Sequence, residues 1–416
     1  MTRMFLRHLV GYGTLAFASV LLASHPLAIA SESSSTSSFG LAGNAAGSSE
    51  VIQANDRVAW LGGRLWEEMQ DHGELEAILA GRLAGKHVSF RNVAWSGDDV
   101  EGRARGVFGT TEDGYKRRLA DLEKAEPTLV FVAYGFSEAL DDSWSLERFE
   151  KGLVRLLGDL KKKEQRLVLL APGGIPDGTT FPASRLKHVQ NRLAQFAEKV
   201  QQIAKAESLT SLQLPTLEAK WTDDGMVPKV SAVRDWALAV ADVIVPTNSK
   251  AFLASKVELE AKGEWKKDPS WAVKWEGDAA KNQWKWKETA ARLPEVGAEG
   301  RSVMIRGLPP GQYRLMIDGQ LVGRGDAGQW REGLAISGVG VELQREALRQ
   351  RVVDKDLTFL HRYRPQNETY LFLFRKHEQG NNAPEVEKFS GLAKELDSQI
   401  QALATPKSYE WELIRE

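Results

Sequence analysis

Between residues 55 and 245, short and almost wholly apolar runs alternate with longer segments whose apolar residues recur at helical spacing, and few folds accept that order. The apolar runs at 58–61, 88–93, 129–134, 167–171 and 209–214 are read as strands. The intervening segments 65–83, 114–124, 146–162, 184–206 and 231–243 are read as helices. In the third of these, Leu146, Phe149, Leu153, Leu156, Leu157 and Leu160 fall on one face. Strands apolar on both sides and separated by helices belong in a parallel sheet covered on both faces. Right-handed crossovers then give an α/β chain with a three-layer αβα sandwich, whose binding site lies beyond the carboxyl ends of the strands.

The chain has 416 residues, too many for one ordinary domain. Its formal net charge is -1, which gives no reason to expect nucleic acid as a partner. Cysteine is absent, so disulfides and thiolate metal sites are excluded. The histidines are scattered without ligand spacing, so neither a metal nor another cofactor is expected.

Residues 1–30 follow the pattern of a secretory signal peptide: Arg3 and Arg7, an apolar stretch from Leu15 to Ala23, then Ala28-Ile29-Ala30. Gly11, Gly13, His25 and Pro26 keep the apolar run below the ~20 residues a membrane span needs. The expectation is export to the periplasm or cell envelope, with no stable membrane span after cleavage. Residues 31–54, rich in Ser, Gly and Ala at their start, read as a flexible linker.

Residues 55–245 form the sandwich domain, and the pattern changes after it. In 246–300, Trp265, Trp271, Trp275, Trp284 and Trp286 crowd among Lys and Glu. This is read as a helical connector whose indoles dock on the sandwich, with a glycan-stacking surface as the alternative. Residues 301–416 begin as a small antiparallel β module, in which Asp318-Gly319 marks a hairpin. Amphipathic helices follow at 342–362 and 384–404. Between them lies a polar tract, His361-Arg-Tyr-Arg-Pro-Gln-Asn-Glu-Thr-Tyr370, of a composition suited to a hydrogen-bonding pocket.

Four blocks stand at or just beyond the strand ends: Arg57-Val-Ala-Trp-Leu-Gly-Gly-Arg-Leu65, Asn92-Val-Ala-Trp-Ser-Gly-Asp98, Ala133-Tyr-Gly-Phe-Ser-Glu138 and Thr222-Asp-Asp-Gly-Met-Val-Pro228. In order, spacing and flanking residues they resemble the blocks of the SGNH, or GDSL, hydrolases. With the C-terminal tract, the resemblance extends to exported planctomycete-type members and covers most of the chain beyond residue 55. It implies a flavodoxin-like sandwich, with ester hydrolysis, deacylation of carbohydrates included, as the ancestral activity. In the family the blocks carry a nucleophilic Ser, an oxyanion-hole Gly, an oxyanion-hole Asn and an Asp-x-x-His pair. Here those positions hold Arg64, Gly97, Ser137, Asp224 and Val227.

The substitutions remove the chemistry. A guanidinium stays protonated and cannot attack a carbonyl, and a valine has no lone pair to take a proton. Losing nucleophile and base together closes the covalent route, because those groups act as a unit. The expectation is a degenerate copy, a pseudoenzyme that binds an anionic or carbohydrate ligand through Arg64, Gly97 and Ser137. Arg64 paired with Asp224 is the simpler use of the same residues. The alternative is an active esterase in which Ser137 replaces the nucleophile, with Gly97 and Asp224 retained. His72, His87 and His188 have no spacing that places them beside Ser137, while His361 and His377 remain open as bases folding over from the C-terminal region.

Overall fold

The computed structural model describes residues 50–247, 256–260, 271–278, 283–290, 293, 301–336, 340–378 and 382–416. The expected signal peptide, most of the linker and Trp265 lie outside the described residues. Among those described, no helix is long and apolar enough to cross a membrane.

The sandwich runs β1 (Arg57–Gly62), α1 (Arg64–His72), α2 (Glu74–Arg82), β2 (Ser89–Asn92), α3 (Thr111–Glu123), β3 (Leu129–Ala133), α4 (Phe136–Leu140), α5 (Leu146–Lys161), β4 (Arg166–Ala171), α6 (Ala183–Ala206), β5 (Thr210–Gln213) and α7 (Val233–Ile244). All sheet pairings are parallel, in the order β2-β1-β3-β4-β5. Strand side chains alternate between two cores. Ala59, Leu61, Val130, Val132, Leu167 and Leu169 meet Phe149, Leu153, Leu157 and Phe196 of α5 and α6. Val58, Trp60, Leu129, Phe131, Val168 and Leu170 meet Trp66, Ile78, Trp236 and Val240 of α1, α2 and α7. Both faces are thus covered, as near-continuous apolar strands require. The strand order reverses between β1 and β3, which is where a ligand crevice opens in such sheets.

The expected helix 65–83 is two helices. Gly73 holds the joint in the left-handed region at φ 68, and a Cβ there would stand 2.8 Å from the Arg349 carbonyl oxygen. Glycine permits both the turn and the close approach.

The expected helical connector is corrected. Described parts of 246–300 are strands: β6 (Lys256–Glu260), β7 (Trp271–Asp278) and β8 (Gln283–Ala290). They join β9 (Arg301–Arg306), β10 (Gln312–Ile317), β11 (Gln320–Asp326), helix α8 (Ala327–Glu332) and β12 (Leu334–Ile336). Helices α9 (Val341–Tyr363), α10 (Glu368–Leu371) and α11 (Ala383–Ala404) follow, and β13 (Ser408–Arg415) closes the chain. An antiparallel sheet forms in the order β11-β10-β13-β8-β7, beside a smaller one, β12-β9-β6. The hairpin turn lies at Asp318-Gly319, both at positive φ. Trp284 and Trp286 are 2% and 5% exposed, so neither offers a face to a glycan. They fill a third core with Tyr313, Trp330, Trp411 and, from α9, Leu348 and Val352.

Helix α9 lies along β2, an edge strand of the parallel sheet. An uncovered edge is a liability, and the helix covers it. A buried set of charges joins the two parts. Lys355 of α9 pairs with Glu76 of α2, contacts Asp356 at 2.7 Å and donates to the Phe90 carbonyl at 3.0 Å. Arg91 of β2 holds Asp397 of α11 through two bonds of 2.9 and 2.5 Å.

Candidate functional site

The site is assembled where β1 and β3 diverge. β1 ends at Gly62, where a Cβ would stand 2.8 Å from both the Ala133 carbonyl oxygen and Trp66 Cδ1. Only glycine lets β3 and the first turn of α1 close on the strand end there. Gly63 is extended and Arg64 opens α1. The N–H groups of Arg64 and Leu65, in the first turn, have no acceptor among the described residues.

Arg64 points to the rim, with its side chain 48% exposed. Its Nε donates to Glu68 Oε1 at 2.6 Å, and its Nη1 stands 3.6 Å from Asp224 Oδ2. The second contact exceeds hydrogen-bond length, so the terminal nitrogens have no acceptor among the described residues. Asp224 is engaged on its other oxygen: Oδ1 accepts the N–H groups of Met226 at 2.8 Å and Val227 at 3.2 Å. The Thr222 hydroxyl donates to the Val227 carbonyl at 2.6 Å and closes the same turn.

The second block continues the parallel pairing beyond β2, since Trp95 donates its N–H to the Gly62 carbonyl at 3.0 Å. It then turns at Gly97, in the left-handed region at φ 79, and the Gly97 N–H has no acceptor among the described residues. Ser96 donates its N–H to Glu67 Oε2 at 2.5 Å. Below the turn Asp98 is fully buried, accepting from Arg105 Nε at 3.0 Å and the Tyr134 hydroxyl at 2.9 Å.

The third block turns at Gly135 and enters the short helix α4. Glu138 accepts the N–H groups of Gly135 and Val100, each at 2.9 Å, and so ties the third block to the segment just past the second. Burial pushes its carboxyl up to about 7, although the backbone bonds pull the other way. Ser137 lies over the first block: a Cβ on Gly63 would stand 3.2 Å from its Oγ. The Ser137 hydroxyl has no hydrogen-bond partner among the described residues.

All four blocks line one cavity of about 200 Å³. Arg64, Gly97, Ser137 and Val227 reach it, and Asp224 stands behind Arg64 at the rim. Most of the wall is apolar: Leu65, Trp66, Phe136, Leu140, Leu170, Leu214 and Met226. No described histidine lines it. His188 is on the surface, 2.8 Å from Asp142. His361 lies against Phe389 and His377 beside Glu378, while His87 meets Gln401. Among the described residues no group of His, Asp and Glu could hold a metal ion.

Sequence reasoning missed Glu67, Glu138 and Arg364. Glu67 follows Arg64 by three residues and so was findable by helical spacing. Arg364 bonds Glu67 across 297 residues, and no local pattern announces such a contact.

No protein-family model and no curated protein sequence matches the chain. Solved structures do. One is a gut microbial diltiazem-metabolizing enzyme, 14% identical, covering 88% of this chain and 99% of its own, with a TM-score of 0.59. Another is a putative GDSL-like lipase from Parabacteroides merdae, 15% identical, covering 48% of this chain and all of its own, with a TM-score of 0.38. A third is a catalytic mutant of an acetylxylan esterase from Geobacillus stearothermophilus, 15% identical over 47% of this chain and 96% of its own, with a TM-score of 0.37. At 14% identity, the likeness to the first of them is one of fold. It is shared with the first of these proteins over nearly its whole length, C-terminal region included.

Proposed function

We propose that this chain is a hydrolase-type sandwich converted from ester hydrolysis to ligand capture, and that its ligand is a small carboxylate with an apolar body. The observation that carries the reading is Arg64: a permanent cation stands at the head of α1, where the resemblance places a nucleophile. Glu68 occupies only its Nε, so the remaining fork is available for a bidentate bond to a carboxylate. The unbonded N–H groups of Arg64, Leu65 and Gly97 and the positive end of the helix dipole add to the same potential. The wall beyond them favours an alkyl or aryl group over a polyhydroxylated sugar. Drug-sized pockets run to roughly 300–1,000 Å³, so this smaller cavity suits a short chain. Residues 1–30 support a place outside the cytoplasm, in the periplasm or envelope.

A second reading keeps the activity. Ser137 lines the same cavity with a free hydroxyl, which favours it as a substitute nucleophile. Against it stands the lack of a partner base, since no described imidazole lines the cavity.

Titration calorimetry of the purified protein with hexanoate, 1-hexanol and glucuronate tests the main reading. Hexanoate binds best, hexanol more weakly and glucuronate least. Heat from glucuronate alone, or from none of the three, defeats it.

A further inference from the structure

Helix α9 does more than cover the sheet edge; it brings a cation to the site's second block. Along the edge the contacts advance turn by turn. Lys355 donates to the Phe90 carbonyl, Phe359 lies under the Arg91 guanidinium with 5.5 Å from Cζ to ring centre, and the Tyr363 hydroxyl donates to the Ala94 carbonyl at 3.3 Å. Arg364 comes next, just past the helix. Its Cζ lies 3.8 Å from the centre of the Trp95 ring, and its Nη1 donates to Glu67 Oε1 at 2.6 Å. The second oxygen of Glu67 accepts the Ser96 N–H, and Ser96 adjoins the left-handed Gly97.

We propose that Arg364 is a positioning residue for the cavity: through Glu67 it holds the Ser96 amide and thereby fixes the Gly97 turn that contributes an N–H to the anion site. The effect is double. A carboxylate clamped between a guanidinium and an amide has one orientation, whereas a free one samples several. Left unpaired, Glu67 would also present a negative charge one residue from Gly97, opposing an incoming anion. Trp95, only 7% exposed, fixes Arg364 in turn, since its ring lies against the guanidinium. The C-terminal helices are therefore part of the site. This inference rests on the carboxylate-binding reading for its functional half alone, because the state of the loop is measurable without a ligand.

The experiment compares wild type, Arg364→Ala, Arg364→Lys and Arg117→Ala by amide hydrogen exchange at Ser96 and by hexanoate titration. Arg117 is the control. It also faces Trp95, at 4.9 Å, and ties the same C-terminal tract through Glu368 at 2.6 Å, but it makes no bond to Glu67. In Arg364→Ala, exchange at the Ser96 amide rises and hexanoate binding weakens about tenfold, as expected for loss of a charge-assisted contact. Hexanol binding stays unchanged. Arg364→Lys restores most of both effects, and Arg117→Ala produces neither. Unchanged exchange at Ser96 in a folded Arg364→Ala protein overturns the inference. Faster exchange in a protein that never bound hexanoate upholds the positioning and rejects the functional reading alone.

Discussion

Arg64 and Asp224 meet at 3.6 Å across the mouth of the cavity, joining the first turn of α1 to the loop that precedes α7. The contact is an ion pair too long to be a hydrogen bond, so it orients the guanidinium without consuming its donors. Glu68 supplies the short bond instead, at 2.6 Å to Nε. Arg64 is thus steadied from two sides and still able to receive a third acceptor.

Replacing Arg64 should therefore cost binding and spare the fold. The Arg64 side chain is about half exposed and its partners are a third exposed, so the pairs contribute only about 0–1 kcal/mol. In Arg64→Ala the melting temperature stays within a few degrees of wild type while hexanoate heats vanish. Calorimetry on both proteins checks it. Retained hexanoate affinity in the variant would show that the anion sits elsewhere.

On the proposed reading, hydrolysis should appear when a nucleophile and a base are placed at the two positions where the resembled family carries them. Arg64 and Val227 line the same cavity, and Asp224 already stands beside both. The double variant Arg64→Ser, Val227→His is expected to cleave p-nitrophenyl acetate above the wild-type background, with neither single variant doing so, because nucleophile and base act as a unit. Adding Ser137→Asn, which restores the side-chain amide donor, raises the rate further. Steady-state kinetics on the set decides it. Equal rates in the wild type and double variant argue against an inherited catalytic frame.

The buried charges between α2, β2, α9 and α11 make stability depend on pH with an unusual sign. Three carboxylates, Glu76, Asp356 and Asp397, share two cations, Lys355 and Arg91. With one acid in excess and burial disfavouring charge, Glu76 is pushed up from 4.5 to about 8, and Asp356 moves the same way. The folded state then holds a proton that the unfolded chain has released, so this group's contribution falls as pH rises from about 4.5 to about 8. Lys355 is raised from 10.5, so its own contribution is complete below that value and is lost only at higher pH. Urea unfolding at about pH 5.5 and about pH 8.5 should show a larger loss of stability for wild type than for Glu76→Gln. Equal losses contradict the proton assignment.

The sheet was legible because its strands are apolar on both faces, and Val58, Trp60 and Phe131 are buried on one side while Ala59, Leu61 and Val132 are buried on the other. The break at Gly73 was not, because the contact that requires a glycine there, the Arg349 carbonyl, comes from far along the chain. The strand character of β8 was present in the alternation Trp284-Lys285-Trp286, but its Lys and Glu content resembled a helix surface. Strand β13 shows the same alternation in Tyr409, Trp411 and Leu413, and Trp411 stacks on Trp286 at 5.5 Å. Two alternating segments so distant in sequence become a sheet only when paired. Within the site, the four blocks and the residues occupying them were readable. The Glu67–Arg364 clamp was not, since it depends on where α9 ends.

The decisive observation is the intact mass of the wild-type protein after incubation with a fluorophosphonate probe, read beside Ser137→Ala. The expected spectrum shows unmodified protein in both. A stoichiometric adduct on the wild type, mapped to Ser137 and missing from the variant, would instead make this chain a working serine hydrolase.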